Sequence, residues 1–224
     1  GEQSSAWFCT VSGLWHIDYS SRSVLGQYNE FNGGNIGMVH HLVHFNEQIA
    51  YVATDIGLLI FDKIQRRFTN RYTHEPDNPS SLVSENMVHE LYIDRDSVLW
   101  VSIWTKGVDY TKIGNVKFGL LGYKELLLPG ETAFSTDALL LDDNNDLWLG
   151  SNMSNLRVLR QQGITTEPVY DAQNAGHNVG HMVRLRSGNV LMIGDKILSL
   201  YNVQNRLLNS FNAPLESGNL HKAT

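Results

Sequence analysis

Tyr72 to Lys112 reads YTHEPDNPSSLVSENMVHELYIDRDSVLWVSIWTKGVDYTK, and its alternation of polar breaks with apolar runs decides the fold. A polar loop, Pro76 to Leu82, leads into MVHELYID (Met87 to Asp94). The turn Arg95-Asp96-Ser97 then separates this run from LWVSI (Leu99 to Ile103), and a short break precedes a third run, GVDYTKI, from Gly107. Runs this short, alternating or wholly apolar, read as strands, and no amphipathic stretch is long enough for a useful helix. Asn, Asp, Ser and Gly in the breaks tolerate the backbone angles of tight hairpins.

The same unit recurs along the chain. AWFCT (Ala6 to Thr10), AYVAT (Ala50 to Thr54), LWVSI, LWLGS (Leu147 to Ser151) and VLMIG (Val190 to Gly194) share a large residue at the second position. These anchors, Trp7, Tyr51, Trp100, Trp148 and Leu191, are spaced by 44, 49, 48 and 43 residues. Upstream of the last four lies another apolar run and a polar turn; downstream come a third run and a weaker fourth, at Val24 to Tyr28, Phe68 to Tyr72, Lys117 to Leu121, Val169-Tyr170 and Leu207 to Phe211. Four antiparallel strands in about 46 residues make one blade of a β-propeller, an all-β fold in which sheets stack radially and bulky anchors fill the gaps between them. The whole of 1–224 thus reads as a single propeller region of about five repeats with the first and last blades incomplete, either part of a larger propeller or a small ring that closes by pairing its tail with the first blade. The first unit begins at its second strand, and Asn219 to Thr224 could start another.

Composition narrows the function. With 17 basic residues against 23 acidic, a net charge of -6, the surface is unsuited to neutralising phosphates, so nucleic acid is not the expected partner. No apolar run reaches the roughly 18 residues of a membrane span. The start at Gly1, without Met, leaves the compartment open. The single Cys9 excludes an internal disulfide.

Tyr72 to Lys112 also resembles the two-component-regulator propeller repeat. Pro76-Asp77-Asn78-Pro79-Ser80-Ser81-Leu82 supplies its loop, Val88, Leu91 and Asp94 its first strand, and Leu99-Trp100-Val101 its second. Leu139, Asp142, Leu147-Trp148-Leu149-Gly150-Ser151 and Leu156 fit as well, whereas the fifth unit carries Leu191 in place of the Trp. The resemblance implies a periplasmic sensor portion of a hybrid two-component regulator that responds to oligosaccharides from polysaccharide breakdown. It also implies partners in a second protomer or in the remaining blades of a longer chain, and membrane and kinase modules outside this sequence. A structural or protein-interaction propeller is the alternative, and a propeller-fold lyase or glycosidase a more distant one.

In such a ring the turns between second and third strands share one face with the blade-to-blade loops, where binding residues usually sit. Trp104 offers an aromatic surface there to a sugar's C–H face, and Lys106, Asn152, Asn155 and Lys196 offer hydrogen bonds to hydroxyls. The acidic run Asp142 to Asp146 reads as hairpin chemistry rather than a calcium loop, since it lacks the loop's Gly and distal Glu. His40 and His44 lie on a strand, roughly 13 Å apart and too far to share a metal. His89-Glu90 lies in an apolar strand pattern rather than on a kinase bundle helix. No nucleotide loop or nucleophile elbow is legible, so neither catalytic residues nor a cofactor are expected.

Overall fold

Each apolar run forms a strand and each polar break closes a hairpin between neighbours. The computed structural model describes residues 4–84, 88–114, 117–122, 126–127, 130–132, 134–151, 156–159, 166–168, 179–194, 197–202 and 207–212. The first sheet has three strands, β1 (Ser5–Thr10), β2 (Gly13–Asp18) and β3 (Ser23–Tyr28). Four antiparallel four-stranded sheets follow in simple meander order. They comprise β6 (Val39–His44) to β9 (Arg67–Tyr72) through β7 (Ile49–Thr54) and β8 (Gly57–Asp62); and β10 (Val88–Ile93) to β13 (Gly119–Gly122) through β11 (Val98–Ile103) and β12 (Gly107–Lys112). Then come β14 (Ala138–Leu141), β15 (Leu147–Gly150), β16 (Arg157–Leu159) and β17 (Thr166–Pro168), and last β18 (His181–Arg184), β19 (Val190–Ile193), β20 (Ile197–Asn202) and β21 (Leu207–Asn212). The last sheet holds four strands. The outer strand of the fourth sheet lies at Thr166–Pro168; the expected Val169-Tyr170 falls outside the described residues. Pro168 suits this outer position because an edge strand tolerates a missing N–H donor.

A hairpin absent from the sequence reading joins the first two sheets: β4 (Glu30–Phe31) pairs with β5 (Gly34–Asn35). Its two turn residues, Asn32 and Gly33, take φ of 51° and 81°, the positive values that favour Asn-Gly.

The sheets stack face to face as propeller blades, and each of four successive interfaces has its own apolar cluster. Leu14 of the first blade meets Val52, Leu59 and Phe61 of the second. Tyr51 and Leu58 meet Leu91, Leu99 and Val101 of the third. Val108 and Trp100 meet Leu139, Leu147 and Leu149 of the fourth, whose Trp148 and Leu140 meet Met182, Val190 and Tyr201 of the fifth. These wedges remove both faces of each inner sheet from water, the main stabilising term of a stacked β fold. The innermost strands β6, β10, β14 and β18 crowd together around the axis.

One local device repeats. Asp94 Oδ1 accepts hydrogen bonds from the backbone N–H of Asp96 and Val98, while Oδ2 accepts one from the Trp100 indole at 3.0 Å. Asp142 does the same with Asn144, Asp146 and the Trp148 indole, also at 3.0 Å. The acidic run at 142–146 is thus a hairpin turn, with Asn145 at a φ of 61°. Phe45 and Tyr51 occupy the equivalent places in the second blade, with ring centroids 6.4 Å apart, and Leu185 and Leu191 do so in the fifth. All four turns are closed by the same backbone bond: Phe45 to Ile49, Asp94 to Val98, Asp142 to Asp146 and Leu185 to Asn189. Where the turn residue is Asp its partner is an indole with an N–H to donate; where it is Phe or Leu the partner is Tyr or Leu.

Candidate functional site

The loop face is sewn to the blades by backbone bonds. Asp55, in the β7–β8 turn, accepts a bond from Met38 N–H at 2.9 Å, and its own N–H donates to Met38 O. Its second oxygen lies 2.8 Å from His40 Nε2. Gly37 makes room for this knot: its φ is +71°, and a Cβ there would come within 2.5 Å of the Asp55 carboxylate. One blade on, the carboxylate of Asp109 accepts from Val83 N–H at 2.8 Å.

Trp104 and Lys106 lie in the turn after β11, closed by the bond from Lys106 N–H to Ile103 O. Thr105 between them takes a φ of 60°. Lys106 is exposed; Trp104 is half-buried, and its indole N–H is buried with no partner among the described residues. Asn152, Asn155 and Lys196 lie outside the described residues. Of the five residues expected at a ligand face, the structure therefore sets two in one turn.

A second constellation, which sequence reading missed, forms at the axis. The ladder of β6 with β7 is bulged between Val39 and His41, and that of β10 with β11 between Val88 and Leu91. Such bulges kink a strand and re-aim its side chains; here they fall at His40 and at His89-Glu90. The rings of His40 and His89 come within 5.1 Å, and those of His41 and His181 within 6.3 Å. Nδ1 of His41 accepts a bond from Leu91 N–H at 3.2 Å, joining β6 to β10. Nδ1 of His181 stands 3.6 Å from Glu90 Oε1. Asp137, at the entry to β14, adds a second buried carboxylate beside Glu90.

Burial sets the charge states. It depresses His41 to about 4, with the His181 and His89 imidazoles adding to the effect. His89 is lowered by burial and by His40, against the opposing pull of Asp137; His181 is lowered by burial. Glu90 is raised well above the usual carboxylate range by burial, with Asp137 contributing. Burial thus disfavours the charged forms of His41, His89, His181 and Glu90 alike. Glu90 and Asp137 are only 5% and 3% exposed.

Between the first two blades and His181 lies a cavity of about 820 Å³, lined by Trp7, Cys9, His16, His41 and Lys63 among others. It runs beside the edge of β1, where the other four sheets carry an inner strand. Trp7 stacks flat on His16 with ring centroids 4.1 Å apart. Among the described residues no group of three or more His, Cys, Asp or Glu is arranged to hold a metal ion.

No protein-family model matches the sequence, and no curated protein matches it. Solved structures do match the fold. The extracellular domain of a hybrid two-component system from B. thetaiotaomicron superposes with a TM-score of 0.75 at 19% identity, over 93% of this chain and 28% of that one. A second such domain from the same organism gives 0.68 at 17% identity, over 89% and 26%. PorZ, a surface component of the type-IX secretion system of Porphyromonas gingivalis, gives 0.67 at 16% identity, over 96% and 34%. The chain spans between about a quarter and a third of the length of these proteins.

Proposed function

We propose that this chain is a non-catalytic portion of an extracytoplasmic sensing propeller in a two-component signalling protein, and that its ligand is an oligosaccharide released by polysaccharide breakdown. The observation that carries the reading is the match of five consecutive blades to the extracellular domain of a hybrid two-component system over 93% of this chain. On this reading 1–224 is a single propeller region that belongs to a larger ring. The loop face supplies the ligand contacts: the Trp104 ring against a sugar's C–H face, with Lys106, Asn152, Asn155 and Lys196 bonding its hydroxyls. Signalling follows by population shift, the ligand favouring one arrangement of two protomers over another. A likeness to PorZ supports a second reading, an interaction propeller at the cell surface.

Calorimetric titration with pools of plant and host oligosaccharides tests this. Saturable heat without product formation is expected, and Trp104→Ala should weaken binding at least tenfold, in line with about 1.4 kcal/mol or more for a lost stacking contact. Turnover of the sugars would make the chain an enzyme. No heat from any pool, together with a stable protein complex, would favour the interaction reading.

A further inference from the structure

The axial cluster carries a property that goes beyond ligand sensing. In a stacked β fold the axis could be filled with aliphatic side chains, as β14 does with Ala138 to Leu141, all buried. Its neighbours instead bring imidazoles there from three blades, two of them on bulged strands. We propose that His41, with His89 and His181 gathered beside it where β6, β10 and β18 meet, forms an acid-sensitive latch: its bond to β10 is made while the ring is neutral and is lost when the ring takes up a proton.

The latch works through one nitrogen. Leu91 N–H donates to His41 Nδ1, so that atom must be unprotonated. A proton on it sets two N–H groups against each other and leaves a buried donor unpaired between β6 and β10. The new charge also sits beside two further imidazoles, the groups whose charges act on His41. The remaining ionisable neighbours give it little relief. Glu90 on β10 is raised by burial, which disfavours the charged form that could serve as its counter-charge. Asp137, before β14, favours a charged His89, and Asp55 is already engaged by His40 of β6.

The sign follows from linkage. His41 binds its proton at about 4 when the latch is closed and near 6.5 once the ring reaches water. The share of closure that His41 carries is therefore fully present above 6.5 and weakens as pH falls from there towards 4, whereas Glu90, raised by burial, acts in the opposite sense wherever opening brings it to water. For His41 alone the opening constant rises on the order of thirtyfold between pH 7.5 and 5; His89 and His181, lowered in the same direction, add to it. The proton is the ligand here, so the device operates whether or not a sugar binds.

Hydrogen exchange on the full chain carrying Glu90→Gln, which removes the opposing titration of that carboxyl and serves as the parent here, reads the latch at the Leu91 amide once corrected for the intrinsic pH dependence of exchange. Protection there should fall at least thirtyfold from pH 7.5 to 5, while the amides of β15 keep theirs. His41→Gln retains an acceptor but cannot titrate, and should remove most of that fall. Leu91 protection that is flat with pH, or a His41→Gln chain that loses it as the parent does, overturns the proposal. If the variant does not fold, imidazole proton resonances of the parent decide: a His41 midpoint below about 5 supports the latch, and one near 6.5 removes it.

Discussion

The strand β10 faces two worlds within four residues. Leu91 is buried among Leu99, Val101 and Tyr51 in the wedge between the second and third blades. His89 and Glu90, just before it, turn to the axis and meet His40 and His181. The wedge is apolar and indifferent to pH, so it supplies cohesion that does not vary with conditions. The axis includes His41, His89, His181 and Glu90, whose charged forms burial disfavours, so its cohesion depends on the proton concentration. Radial packing and axial packing thus answer different demands in one sheet.

The largest expected effect tests the wedge. Trp148 is 3% exposed, and its indole also bonds Asp142. Trp148→Ala should destabilise the chain by about 3–5 kcal/mol in denaturant titration, from lost burial and an orphaned carboxylate. Trp100→Ala, at a half-buried position with the same carboxylate bond, should cost distinctly less. Equal costs would mean that the indole bonds, rather than the buried area, govern the wedge.

At the axis, Glu90→Gln should act in a pH-dependent way. A raised carboxylate contributes stability below its unfolded value near 4.5 and loses it as pH climbs through the folded one. The variant should therefore match its parent at pH 4 and become the more stable as pH rises, by up to about 1.4 kcal/mol for each unit of the upward displacement. Melting curves at pH 4, 6 and 8 measure this, and a constant difference across them would erase the contrast between wedge and axis. The smallest effect lies at the rim. Asp143 is shared by Arg95 at 2.8 Å and Arg184 at 2.5 Å, linking three blades through exposed side chains. Arg95→Ala should cost under about 0.5 kcal/mol and less in high salt; a larger loss would show that the rim, too, bears on blade packing.

The strands and their hairpins were legible because their determinants are local. The Trp100 and Trp148 segments, with their Asp-containing turns, spell out a strand–turn–strand within a dozen residues. The β4–β5 hairpin was equally local, and Asn32-Gly33 signals it; the stretch reads as a plain connection only because its strands are two residues long. The axial cluster was not legible. His41, His89 and His181 are separated by 48 and 92 residues, and each alone looks like an ordinary polar residue on a strand. Only ring geometry brings them together, and only the bulges aim them. No single-strand pattern carries a bulge of that kind. Of the loop-face residues, Trp104 and Lys106 fall in the expected turn, while nothing in their spacing shows what they touch.

The pairing across the first hairpin of each blade has an evolutionary consequence. Asp with Trp, Phe with Tyr and Leu with Leu fill the same two seats, six residues apart. A change at one seat alone would strand either a carboxylate without its donor or an indole without its acceptor. Drift at these seats must then proceed by matched exchange, and a duplicated gene segment of seven codons inherits the match intact. A chimeric ring assembled from unlike repeats should tolerate swaps made as whole couples and reject those that split them.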